Sequence, residues 1–232
     1  MTLKEIIQSK VNEDDIYRYL SAKSEVENDW KVYVDEVLTE SVNLIAPVYA
    51  SVRDAIILTP PFIELQNSAF KFASHQFSKH IEDASELIIV AATIGHAIER
   101  KIKYYFTTNP TRAIVMDACG SALIEAYCDT IEMELFENLK LPYAAFTSRF
   151  SPGYGDLSLE LQRAIFETFD FSKKTGIHLS SGNLMLPQKS VVFLVADQKH
   201  KSKTDDLCLH KCGLCTLSHC IYRQEESTSV EK

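Results

Sequence analysis

No apolar run in this 232-residue sequence approaches the eighteen or so residues that a membrane-crossing helix needs. The opening residues Met1-Thr2-Leu3-Lys4-Glu5 lack the apolar segment of a secretory signal, so a cytoplasmic location and no membrane contact are expected. Positive charge is also in deficit, with 24 Lys and Arg against 32 Asp and Glu and a formal charge of -8. A nucleic-acid partner requires a concentrated basic face, and here the basic residues are dispersed, which excludes that class. There is no Gly-x-Gly-x-x-Gly and no Gly-Lys-Ser, so a nucleotide-binding fold of either common kind is excluded too. Nothing between Met1 and Leu207 pairs a nucleophile with a base at recognisable spacing, and the chain is not expected to be a catalyst by itself.

What is present is a core. At 46% hydrophobic, the chain suits one large domain over residues 1–200, with a helical lead-in over 1–45, and a polar tail over 201–232. Leu3, Ile6 and Ile7 mark a first helix, and Asp14-Asp15 cap a second that carries Ile16, Tyr19 and Leu20. Trp30, Val34, Val37, Leu38, Val42 and Ile45 recur at helical spacing and stop before Pro47. Beyond Pro47 the period shortens, giving strands at 48–50 and 55–58 separated by a turn, and a further one from Phe62. Residues 74–84 read as a short helix whose His75 and His80 are ordinary surface or core histidines. Residues 86–92 form a branched, buried strand, and Thr93 and Gly95 turn it into a helix carrying Ile98, Ile102, Tyr105 and Phe106. A long helix comes next over about 111–139, with Ile114, Ala118, Ser121, Ala122 and Ala126 as a small-residue stripe. Residues 143–150 and 177–179 read as strands, and 189–196 as a strand central in its sheet. The fold class expected is α+β: a single domain with a central, mostly antiparallel, twisted sheet flanked by helices, preceded by the helical lead-in and followed by a Cys-rich tail.

Two features carry chemistry. Glu125 lies near the small-residue stripe of the long helix, where a carboxylate is costly to bury; it is either partnered by an arginine or aimed at a ligand. The stretch Arg149-Phe150-Ser151-Pro152-Gly153-Tyr154 is an extended entry into a tight turn, since Pro152 pre-sets one dihedral and Gly153 accepts a positive one. Its backbone can approach a bound molecule closely, between a guanidinium and an aromatic face. A helix is expected to leave it from about Leu157, started by Asp156 or Ser158.

Arg-x-x-Pro-Gly-Tyr, followed by Gly155-Asp156 and a Leu-x-x-Gln helix, resembles the S-adenosylmethionine-binding corner of the activation (reactivation) domain of cobalamin-dependent methionine synthase. Tyr17-Arg18-Tyr19-Leu20, Ala92-Thr93-Ile94-Gly95, Asp117-Ala118-Cys119-Gly120-Ser121-Ala122 and Leu186-Pro187-Gln188-Lys189-Ser190-Val191 fall in that family's order, so the resemblance spans about residues 10–223. It implies an S-adenosylmethionine site made by Glu125, Arg149, Ser151, Pro152, Gly153 and Tyr154. In that site carboxylates face the ligand's sulfonium and amino groups, Arg149 faces its carboxylate, and Tyr154 packs near the adenosyl portion. It further implies a role in rescuing inactive cob(II)alamin by reductive methylation. The sequence lacks the Asp-x-His-x-x-Gly cobalamin signature, so the cobalamin would sit on a partner: the cobalamin-binding domain of methionine synthase or another corrinoid protein. A flavodoxin-like or ferredoxin-like protein would supply electrons. The sequence departs from the family in Gly155-Asp156-Leu157, where a Cys-Pro-containing continuation is usual, which leaves open a second reading as a metal-stabilised, non-catalytic interaction subunit of a corrinoid methyltransferase.

The tail supplies the metal in that reading. Cys208, Cys212, Cys215 and Cys220 match tetrahedral zinc or a four-iron cluster in ligand number, the alternative being a set of reduced thiols. The first three also have radical S-adenosylmethionine spacing, but only about a dozen residues come after Cys220 and no barrel can be built from them.

Overall fold

The computed structural model describes residues 1–20, 28–140 and 146–197. Its organising strand is β4 (Glu86–Thr93), an eight-residue run buried from Leu87 onward. β4 pairs antiparallel with β1 (Val48–Thr59) on one side and with β7 (Ser190–Ala196) on the other. β1 continues into β2 (Phe62–Leu65) and β3 (Lys71–Ala73), so the five-stranded sheet runs β3-β2-β1-β4-β7 with every pairing antiparallel. The remaining strands, β5 (His178–Leu179) and β6 (Met185–Leu186), make a separate small hairpin.

The period of two along β4 divides the interior. Ile88, Val90 and Ala92 join one apolar cluster, while Leu87, Ile89 and Ala91 join another on the opposite face. Helices cover both faces, which is why a central antiparallel strand reads as an unbroken apolar run. On the first face lie α1 (Leu3–Ser9), α2 (Glu13–Tyr19), α3 (Asn28–Leu44), α5 (Ala97–Thr108) and α6 (Pro110–Leu139). On the second lie α4 (His75–His80), α7 (Leu161–Phe169) and α8 (Phe171–Thr175). Each fully buried Ile, Leu or Phe contributes about 1.5–3 kcal/mol, so both faces are needed to hold the sheet. Among the described residues no helix is long and apolar enough to cross a membrane.

The α+β architecture with an antiparallel sheet and flanking helices is the one expected. Four local expectations are corrected. Residues 48–50 and 55–58 belong to the single twelve-residue β1, because β4 supplies a continuous ladder from Val48 to Ala55 that bridges the polar Arg53 and Asp54. β7 is an end strand and not a central one; its outer edge is met by a short segment through bridges Phe150 to Leu194 and Phe146 to Asp197. That segment makes bridges and no continuous strand over 146–150, while residues 143–145 lie outside the described residues. The second helix is capped by Asn12, whose side chain accepts from the Asp14 amide, with Asp14 and Asp15 in its first turn.

α6 is the helix on which the polar corner is built. Pro110 opens it, Asn109 caps it by accepting from the Arg112 amide at 3.1 Å, and Lys140 closes it in the left-handed region. Ala118, Ala122 and Ala126 are buried as expected, but Ile114 is exposed.

Candidate functional site

The polar edge of α6 repeats every four residues, through Asp117, Ser121, Glu125 and Asp129, and Glu132 adds a seventh-position neighbour of Glu125. Residues 146–150 lie along β7, with the Phe150 and Leu194 amides exchanging hydrogen bonds of 2.9 and 2.8 Å and the Thr147 amide donating to Ala196 O. That pairing turns the Arg149 side chain back toward α6. Its Nη2 sits 3.1 Å from Glu125 Oε2, and its Nη1 sits 2.8 Å from Asp129 Oδ1 and 3.3 Å from Glu132 Oε2. Its guanidinium carbon stands 5.7 Å from the centre of the Phe193 ring on β7.

The Arg149 side chain is 11% exposed and that of Glu132 is 4% exposed, whereas Glu125 and Asp129 open to solvent. Burial works to lower the Arg149 pKa, and the surrounding Glu132, Glu125 and Asp129 carboxylates more than reverse it, so the group is held charged. The same enclosure pushes the Cys128 thiol well above its ordinary value through desolvation, which makes it unreactive. The question the sequence left open at Glu125 is answered in part: an arginine does partner it, and its carboxylate is still partly accessible.

Past Arg149 the chain turns tightly. The Tyr154 amide donates to Ser151 O at 3.0 Å, the Gly153 amide to Leu157 O at 2.8 Å, and the Leu157 amide to Tyr154 O at 2.9 Å. Gly153 takes a φ of +95°, a conformation that side chains disfavour. Pro152 is buried under the turn, and Tyr154, a residue 60% exposed, sets its ring edge-on to Phe150 at 6.2 Å. The corner therefore presents backbone, an aromatic face and, beside them, the carboxylates of α6.

Asp156 does not start the next helix. α7 begins at Leu161 without a side-chain cap, and residues 157–160 are a turn. The Asp156 carboxylate instead accepts hydrogen bonds from the Ser74 hydroxyl, from the His75 amide at 2.7 Å and from the Gln76 amide at 3.1 Å, at the start of α4. These bonds, the Ser74 one foremost, hold it below the usual carboxylate pKa. Gly155 beside it takes a φ of +54°, a conformation that side chains disfavour, and a Cβ there would push aside the movable end of Gln76. His80, also on α4, places Nε2 3.0 Å from Ser148 O and thereby supports the segment leading to Arg149.

Glu125, Arg149, Ser151, Pro152, Gly153 and Tyr154 thus come together at one place. Asp129 and Glu132 were missed by the sequence reading, although their spacing from Glu125 places them on its face of the helix. Cys208, Cys212, Cys215 and Cys220 lie outside the described residues, and among the described residues no group of His, Cys, Asp and Glu is arranged to hold a metal ion. A shallow depression of about 340 Å³ lies elsewhere, lined by Leu44, Ala97, Arg100, Lys101 and Tyr104, and shares no residue with the corner.

No protein-family model matches the sequence, and no curated protein does. Among solved structures, the MetH reactivation domain bound to AdoHcy superposes over 87% of this chain and 78% of its own, with a TM-score of 0.68 and 14% sequence identity. At that identity the likeness is one of fold: the chain has the fold of the MetH reactivation domain.

Proposed function

We propose that the chain is an S-adenosylmethionine-binding reactivation subunit, which presents the methyl donor for reductive methylation of cob(II)alamin held by a methionine synthase or a related corrinoid protein. The observation that carries this is the meeting of the Arg149–Tyr154 corner with the carboxylate edge of α6, in a fold like that of a reactivation domain bound to AdoHcy.

The residues present fit the ligand. S-adenosylmethionine carries a sulfonium and an ammonium, and Glu125 and Asp129 offer partly exposed carboxylates to such cations. Tyr154 offers an open ring face to the adenosyl group, and Gly153 lets the backbone come close. Arg149 fixes both carboxylates from below. When bound, the ligand supplies an electrophilic methyl group; the protein supplies orientation and a raised effective concentration, which can lower a barrier by several kcal/mol. Isothermal titration with S-adenosylmethionine tests the reading directly. Micromolar binding that is lost when Tyr154 and Glu125 are replaced together supports it, and no heat of binding at millimolar ligand overturns it.

A further inference from the structure

We propose that Lys189, and not Arg149, receives the carboxylate of the ligand's amino-acid moiety; this rests on the chain binding S-adenosylmethionine. Arg149 is enclosed by carboxylates. Its Nη2 donates to Glu125, and its Nη1, buried and without an aligned hydrogen bond, lies in ion-pair range of Asp129 and the buried Glu132, so a ligand carboxylate arriving there would enter a ring of three like charges.

Lys189 stands at the other end of the same edge of α6. It enters β7 from the Leu186-Pro187-Gln188 turn, and its carbonyl accepts from the Ile94 amide at 3.2 Å, which fixes its backbone to the β4–α5 turn. Its side chain lies across α6 at Gly120, where any Cβ would come within 3.1 Å of its methylenes. The ammonium reaches Ser121 Oγ at 2.8 Å and Asp117 Oδ1 at 2.9 Å, with only 12% of the side chain exposed. Those two contacts use two of the three N–H donors of an ammonium.

Ser121 is one turn of α6 before Glu125, a rise of about 6 Å. An amino acid's ammonium and carboxylate sit on one carbon, and hydrogen bonds of about 3 Å at each end let them bridge from Glu125 to Lys189. The edge of α6 then reads as a polar track: Lys189 for the carboxylate, Glu125 for the ammonium, and the Tyr154 corner for the adenosyl end. This gives a binding role to the Asp117–Ser121 and Pro187–Ser190 stretches.

The test compares S-adenosylmethionine with its decarboxylated analogue, which keeps the sulfonium, ammonium and adenosine. The wild-type chain is expected to bind the parent compound about ten- to a hundredfold more tightly, the fold-change of one lost charge-assisted contact. Lys189→Met should abolish that preference while leaving analogue affinity unchanged, which also shows that the variant is folded. A preference that persists in Lys189→Met, or equal weakening of both ligands, overturns the assignment and leaves Lys189 as a structural tie. Wild-type binding of both compounds with no preference overturns it as well, whereas binding of neither removes the S-adenosylmethionine reading itself.

Discussion

At the scale of single residues, the interior of the site is an ion pair that would be hard to dismantle. Glu132 is almost fully buried, and Arg149 is one of the groups that compensate its desolvation. Arg149→Ala is therefore expected to lower folding stability by up to about 3–5 kcal/mol, and to weaken S-adenosylmethionine binding indirectly, by releasing Glu125 and Asp129 from their positions. Calorimetry paired with urea unfolding separates the two effects, and Arg149→Ala combined with Glu132→Gln should recover part of the stability without the binding. An unchanged stability in the single variant would mean that Glu132 is not charge-balanced by Arg149. Asp156 gives a pH-dependent counterpart. Its folded pKa lies below the unfolded value of about 4, so its contribution is complete above that pH and fades as pH falls through the folded value. Asp156→Ala should cost about 0.5–2 kcal/mol near neutrality, as loss of a helix cap does, with the difference from wild type shrinking below about pH 4. Urea titrations from pH 3 to 7 would show it, and a difference independent of pH would contradict it.

At the scale of elements, the long helices are the readable ones, because an apolar period sustained over several turns marks them, as in α6, where Asn109 also supplies a cap. The apolar period predicts α6 from about residue 111 to 139, and the helix runs Pro110–Leu139. Strands are less so. The break expected inside β1 rests on Arg53 and Asp54, yet Arg53 ion-pairs with Glu86 on the neighbouring strand and Asp54 accepts from the Asn67 and Ser68 amides, so both polar residues are satisfied without leaving the sheet. The apolar character of β7 suggests a central strand; it is an end strand whose outer edge residues 146–150 partly occupy, and burial alone does not reveal which neighbour supplies it. The turn between β4 and α5 depends on Gly95 at a φ of +86°, with the Ala46 Cβ and carbonyl only 3.2 Å from any added Cβ. Gly95→Ala should destabilise the fold by about 1–3 kcal/mol by strain and crowding together, read as a lower urea midpoint at unchanged slope. A neutral effect would show that Ala46 can move aside.

At the scale of the whole molecule, the sheet brings two stretches that are far apart in the chain to one edge of α6: the Arg149–Tyr154 corner and the Lys189 turn. Among the described residues the corner offers donors, carboxylates and an aromatic face, and the prediction is that the chain transfers no methyl group alone. Mixed with a cobalamin-loaded partner in the cob(II)alamin state, S-adenosylmethionine and a strong one-electron donor, it should accelerate formation of methylcobalamin, monitored by the visible spectrum. A rate equal to that without the chain, for every corrinoid protein of the same cell, would remove this function and leave the fold. For the tail, metal analysis after anaerobic purification should find about one zinc or one iron cluster per chain on Cys208, Cys212, Cys215 and Cys220; four freely titrating thiols would refute it. The sequence by itself determined the α+β class, the long helix α6 and the tight turn at Pro152-Gly153, because apolar period and the Pro-Gly pair act within a few residues of chain. Only the tertiary structure decided that Glu125 and Arg149 meet, that Glu132 lies beneath them, that Asp156 caps a helix some eighty residues earlier and that Lys189 shares the edge of α6. Those contacts are made by strand pairing and by helix-on-sheet packing across long chain separations, and local spacing carries no record of which distant charge will neutralise which.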